Sequence, residues 1–174
     1  MKAMVLSAIS RESSSCYLLA QEVAAIATER GVEVDFVSPA DLDLPINDGT
    51  VPVDHEGAAA WVERVAGIQA HFWVSPEYHS SMTGGMKNCF DHLAKEPMKG
   101  DVVGLFALAG GAMAALNTLN NMTIVARSLG AWVAPDYCAL NSNDVKGGLD
   151  DATRGRVEQV VDQVLEATHR LQPE

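Results

Sequence analysis

Basic residues are scarce in this chain. Lys and Arg total 12 against 23 Asp and Glu, a formal net charge of −11 over 174 residues. A surface this acidic repels phosphate backbones and anionic headgroups, which argues against nucleic acid and membrane surfaces as partners. Cysteine is scarce too: Cys16, Cys89 and Cys138 are far apart and odd in number. No disulfide framework is expected, and the chain fits a reducing cytoplasm. No CxxC or paired Cys/His spacing points to zinc, and the five histidines form no HExxH-type pair, so no metal site is expected. GxSxG, GxGxxG and GxxxxGKS/T are all missing. That disfavours a Ser/His hydrolase, a Rossmann dinucleotide site and a Walker loop.

An uninterrupted apolar span is missing as well. The uncharged stretch from Val102 to Ala126 is broken by Gly110, Gly111, Asn117, Asn120 and Asn121. It reads as a buried strand, a glycine turn and a helix in a soluble protein. The opening MKAMVLSAI run is stopped by Ser10, Arg11 and Glu12 and reads as a first strand, not as a signal peptide.

What is present is an alternation. With 48% apolar residues and 20% charged ones, the chain has a globular balance, and its length suits one domain. Strand-like runs recur at Ala3–Ser7, Val32–Ser38, Ala70–Ser75, Val102–Leu108 and Ala131–Cys138. Between them lie segments with helical spacing. Leu19, Val23 and Ile26 mark the first, with Gly31 placed to end it. Trp61, Val62 and Val65 mark the second, with Asp54 as its cap. Leu116, Leu119 and Met122 mark the fourth. Val157, Val160, Val161, Val164 and Leu165 form the stripe of the last, which begins after Asp150 and Asp151. Strands and helices in alternation imply parallel crossovers and an α/β sandwich of three layers. Five strands favour the order 2-1-3-4-5, with helices on both faces. Ligands of such sheets sit outside the carboxyl ends of the strands, so the loops after strands one, three and four carry the candidate site.

The first loop, Ser7 to Ser15, holds five serines and Arg11 ahead of a helix N-terminus. Free backbone N–H groups, hydroxyls and a guanidinium there suit an anionic phosphate; the same serines would equally serve as helix caps in a solvated turn. The second loop, Ser75 to Asn88, exposes polar and aromatic groups after a proline and then enters a helix through Gly84 and Gly85. That mixture fits a flat heteroaromatic ligand, and it also fits a long turn with a capped helix. The third, Leu108-Ala109-Gly110-Gly111-Ala112, has adjacent glycines that would let backbone approach a ligand or adopt positive φ, or would simply make a tight turn.

Taken together, these loops resemble the NADPH-dependent FMN reductases, flavodoxin-like proteins that include quinone, azo-dye and chromate reductases. The strongest carrier is Ser75-Pro76-Glu77-Tyr78-His79-Ser80-Ser81 with Gly84 and Lys87-Asn88. It is similar to that family's S/T-P-E-Y-N/H-x-S-x-x-G-x-x-K-N signature. Asp41-Leu42-Asp43-Leu44-Pro45, Ala109-Gly110-Gly111 and Leu129-Gly130-Ala131-Trp132-Val133 resemble further family segments. The first loop departs from the family's G-S-x-R-x-x-S-x-N/T. Ser7-Ala8 replaces Gly-Ser, Ser10 stands at the arginine position, Arg11 follows it, and Ser15 replaces Asn or Thr. Leu108 stands where serine is common.

The resemblance implies FMN across the strand ends. Ser10, Arg11, Ser13 and Ser15 would hold its phosphate. Pro76, Glu77, Tyr78, His79 and Ser80 would contact the isoalloxazine ring, with Ala109, Gly110 and Gly111 beside it. It further implies a hydride from NADPH or NADH, passed through FMN to a small-molecule acceptor in ping-pong turnover, with no obligatory catalytic side chain. The acceptor stays open among quinones, flavins, azo dyes and metal ions. A homodimer or homotetramer is implied, with Trp132, Tyr137 and the apolar third helix after Gly85 as candidate contacts, residues that would equally serve core packing. A flavodoxin-type electron carrier and a flavin-free binding module are the alternative readings.

Overall fold

The computed structural model describes residues 1–52, 54–111 and 115–172. Its strands are β1 (Lys2–Ser7), β2 (Glu33–Val37), β3 (Ala70–Pro76), β4 (Val102–Ala109), β5 (Trp132–Val133) and β6 (Cys138–Asn141). Its α-helices are α1 (Ser15–Glu29), α2 (Glu56–Ala66), α3 (Gly84–Asp91), α4 (Leu116–Ser128) and α5 (Asp151–Leu171). The sheet is parallel in the order β2-β1-β3-β4-β5, the flavodoxin-like arrangement, and β6 also pairs with β4.

The expected fifth strand, Ala131–Cys138, is two strands. β5 pairs Trp132 and Val133 with Val102 and Val103, and β6 resumes the ladder at Phe106 and Cys138. Pro135 lies in the gap, where it offers no N–H to a ladder. Next to it, the Asp136 N–H donates to Gln163 Oε1 of α5 at 3.1 Å, and its carboxylate accepts from Gln159 and Gln163. The chain therefore leaves the sheet at the proline and is held by the last helix until β6 begins.

Alternation along β3 separates the two faces. Phe72 lies against the α5 side, where Val160 and Val164 crowd Gly104 so closely that a Cβ there would stand 2.8 Å from Val164 Cγ2. Trp73 points the other way and stacks on Phe90 of α3, ring centroids 4.1 Å apart. α1 and α5 pack together on the first face, while α4 covers β4 and β5. Trp61 of α2 is buried with its indole N–H satisfied by Cys89 O at 2.8 Å, so its ring enters the core without stranding a donor.

Local signals explain the helix ends. Ser14 caps α1 by accepting from Tyr17 N–H, and Gly31, at φ +78°, turns the chain away after it. Asp150 caps α5 through Thr153 N–H at 2.7 Å. The expected cap of α2, Asp54, is displaced by one residue: His55 Nδ1 accepts from Ala58 N–H at 3.3 Å. Among the described residues no helix is long and apolar enough to cross a membrane, and no cluster of three His, Cys, Asp or Glu could hold a metal ion. All three cysteines are free and buried.

Candidate functional site

Parallel pairing brings the carboxyl ends of β1, β3, β4 and β6 to one edge of the sheet. At the end of β1, the buried Ser7 Oγ donates to Ile9 O at 2.8 Å and shapes the first loop. The Ser14 N–H closes that loop on Arg11 O at 2.9 Å, and the Ser14 hydroxyl is taken up by capping. In the first turn of α1, the Ser15 and Cys16 N–H groups have no acceptor among the described residues. They sit at the positive end of the helix dipole.

These groups open onto a cavity of about 240 Å³. Of the residues expected at a phosphate, Arg11, Ser13 and Ser15 line it; of those expected at a ring, Pro76 and Tyr78 do. Ser10, Glu77, His79, Ser80, Ala109, Gly110 and Gly111 lie outside its lining. Ile9, Ser14, Cys16, Leu108, Ser142 and Lys146 complete it. The last two come from the loop after β6, a strand end at the same edge as the other three. Their signal was the polar Asn141-Ser142-Asn143-Asp144 run after the last strand, followed by Gly147 and Gly148.

Ser15 Oγ donates to Ser142 O at 2.7 Å, which joins the first and last loops across the cavity. With its hydroxyl proton committed, Ser15 offers an anion its backbone N–H in place of its hydroxyl. Cys16, in the cavity wall, has its thiol pushed up to about 12 by burial, and its Sγ–H points to Val74 O at 3.4 Å. At neutral pH it is an uncharged wall group.

The second loop is built around a tight turn. Tyr78 and Ser81 exchange both backbone hydrogen bonds, at 2.8 and 3.1 Å, and His79 and Ser80 between them have φ of +51° and +65°. Two consecutive non-glycine residues in the left-handed region make a type I′ turn that the surroundings must hold. Asn121 of α4 holds it, donating to Ser80 O at 3.1 Å and to Ser81 Oγ at 3.3 Å. The His79 and Ser80 N–H groups have no acceptor among the described residues. The Glu77 carboxylate turns toward α4 and accepts from Thr118 N–H at 3.1 Å.

Other residues of the S-P-E-Y segment are structural. Ser75 Oγ accepts from Thr83 N–H at 3.3 Å and so fastens the loop's two ends. Lys87 pairs with Asp91, and Asn88 holds the segment after β2 by donating to Pro45 O at 2.9 Å and accepting from Asn47 N–H at 2.9 Å. In the third loop, Gly110 and Gly111 do not adopt positive φ, and no described atom lies within 4 Å of a Cβ built on either. Among the described residues, the backbone there borders open space. Ala112, read as the end of this turn, lies outside the described residues.

A larger cavity, about 490 Å³, lies away from these loops between Asn47, Val51, α2 and the end of α3. Glu63 and Asp91 line it, which makes it a poor host for an anion. Among the described residues, the 240 Å³ cavity has Arg11 and Lys146 and no carboxylate in its lining.

Residues 1–145 match the family described as NADPH-dependent FMN reductase. The chain is 28% identical over 166 residues to the NADPH-dependent FMN reductase ArsH of Acidithiobacillus ferrooxidans, covering 92% of this chain and 68% of that one. It is 37% identical over 87 residues to the FMN-dependent NADPH-azoreductase of Staphylococcus saprophyticus, covering 49% of this chain and 45% of that one. Among solved structures, the apo form of the NADH:FMN oxidoreductase EMOB superposes with a TM-score of 0.80 at 18% identity, covering 100% of this chain and 92% of that one. That likeness is one of fold.

Proposed function

Since the chain belongs to the NADPH-dependent FMN reductase family, we propose that it is a single flavin-binding domain that moves electrons from NADPH or NADH through FMN to a small quinone, flavin, azo or metal-ion acceptor. The observation that carries this reading is the 240 Å³ cavity, which among the described residues has orphaned N–H groups at Ser15 and Cys16, two cations and no lining carboxylate, in a chain of net charge −11. An anionic ligand is the complement of such a wall. The chemistry FMN supplies when bound is acceptance of a hydride and its delivery onward in ping-pong order.

The protein's share is binding and orientation. Arg11, Ser13 and the Ser15 and Cys16 N–H groups would hold the phosphate, with Ser10 at the exposed rim of the same loop. Pro76 and Tyr78 would face the ring, and the free His79 and Ser80 N–H groups would meet its polar edge. Donors fixed in a strained turn need no reorganisation when negative charge grows at that edge. Glu77 would position this loop through α4, and Ala109, Gly110 and Gly111 would leave room beside the ring. Exposed Leu116 and Ile124 on α4, with Trp132 and Tyr137, support assembly into a homodimer or homotetramer, which light scattering would read.

The test is the visible spectrum of the protein with stoichiometric FMN, followed by anaerobic NADPH. A perturbed flavin spectrum that bleaches on NADPH addition is expected. Bound flavin that stays oxidised would favour the second reading, a flavodoxin-type carrier, which the strong acidic charge supports because carriers dock by electrostatics. No flavin binding would remove both and leave the flavin-free module.

A further inference from the structure

We propose that Lys146 is a second phosphate-recognising cation of the cavity, supplied by the loop after β6. The proposal rests on the flavin reading above and names the ligand end that Lys146 serves: a phosphomonoester dianion.

Three observations converge on it. Lys146 lines the same cavity as Arg11, Ser13 and the first turn of α1, although 135 positions of chain separate it from Arg11. Neither cation is paired with a carboxylate among the described residues, a state they share with Lys95, Arg127 and Arg156, whereas Arg30, Arg64, Lys87 and Arg154 are paired. Among the described residues the Lys146 ammonium makes one side-chain hydrogen bond, to the neutral Asn143 Oδ1 at 3.5 Å, and the neighbouring Asp144 carboxylate accepts from Asn141 N–H at 3.2 Å. In a protein with nearly twice as many acids as bases, two unpaired cations meeting in one cavity leave a local positive charge that an anion would neutralise.

The loop is built to present this residue. Val145, 2% exposed, anchors it in the core immediately before Lys146. Gly147 and Gly148 follow at φ +93° and +97°, a backbone that side chains rarely adopt, and turn the chain away. The Ser15 hydroxyl on Ser142 O then fixes the loop against α1. Lys146 is thus held beside the helix N-terminus that Arg11 approaches from the first loop. A point charge from the other side of the cavity would add to the neutralisation that Arg11 supplies.

The experiment titrates FMN and riboflavin, which differ only in the phosphate, into the unaltered protein and into Lys146→Gln and Lys146→Arg. Quenching of flavin fluorescence is read at low and high ionic strength. Lys146→Gln is expected to weaken FMN about tenfold at low salt, to leave riboflavin affinity unchanged and to flatten the salt dependence for FMN. Lys146→Arg is expected to retain most of the affinity. Unchanged FMN affinity in Lys146→Gln overturns the assignment, and so does an equal loss for both flavins, which would mark a role in the fold. Equal affinity of the unaltered protein for the two flavins also overturns it, while leaving flavin binding intact. Failure of the unaltered protein to bind either flavin overturns the flavin reading itself, and the role of Lys146 with it.

Discussion

The Glu77 carboxylate caps helix α4 from a different loop, accepting from Thr118 N–H at 3.1 Å and Thr118 Oγ1 at 3.3 Å. Helix caps normally come from the residue just before the helix. Here that residue is Ala115, at φ +56°, with no side-chain acceptor to offer. Replacing Glu77 with Ala is expected to cost about 1 kcal/mol, the usual value of a lost cap. Glu77→Gln, which keeps an acceptor oxygen, should cost less. Urea unfolding reads both. An unchanged midpoint with weakened FMN would instead make the carboxylate a ligand contact.

The turn at Tyr78–Ser81 gives the second prediction. Ser80 at φ +65° pays a left-handed penalty of about 1–2 kcal/mol that glycine does not, partly offset by the greater freedom glycine brings to the unfolded chain. Ser80→Gly is therefore expected to stabilise the fold by about 0.5 kcal/mol. Asn121→Ala, which frees the turn, should loosen flavin binding more than it lowers Tm. Thermal melts and flavin titrations on the two variants check the pair.

Gly104 fills a place where no side chain fits, because Val164, Phe72 and Val160 lie at 2.8, 3.2 and 3.2 Å from an added Cβ. Gly104→Ala would wedge α5 away from the sheet and is expected to cost about 1–3 kcal/mol. Pairing it with Val164→Ala should recover part of the loss, and denaturant midpoints of the single and double variants test this.

The three thiols make a pH prediction. Burial pushes Cys16 and Cys89 up to about 12 and Cys138 up to about 11, from an ordinary 9.0. At pH 8 the native protein should react negligibly with a thiol reagent and release all three thiols once denatured. A folded-state pKa raised above the unfolded one means that the native state keeps protons the unfolded chain gives up. Stability is therefore full below pH 9 and falls as pH rises through the folded values. Unfolding free energies measured across that alkaline window should decline, and less so in Cys89→Ala.

The strands and the helical stripes were legible because each rests on a local apolar pattern: near-continuous runs for buried parallel strands, three- and four-residue spacing for Leu19, Val23 and Ile26. Strand order followed from their number and their alternation with helices. The interruption had a local signal in Pro135-Asp136, which the apolar residues before and after it masked, and what holds the gap is not local: Gln159 and Gln163 reach Asp136 from another helix. In the site, the first loop's serines were legible as a group but not in their division of labour. Ser14 takes the capping role and Ser15 turns its hydroxyl to Ser142, choices set by partners up to 127 residues away. Glu77, Lys87 and Asn88 look alike as polar residues of one segment, yet each is engaged with a helix or loop that the segment alone does not reveal.

The Ser15–Ser142 hydrogen bond has a bearing on folding order. The cavity's walls come from residues at both extremes of the sheet's connectivity, so its closure waits on contacts that are costly in loop entropy and late to form. During synthesis, a chain ending before residue 142 could form β1, β3 and α1 yet would lack one wall of the cavity. A ligand that touches both loops would act as a clasp between early and late parts of the polypeptide, and would resist unfolding in proportion to its concentration.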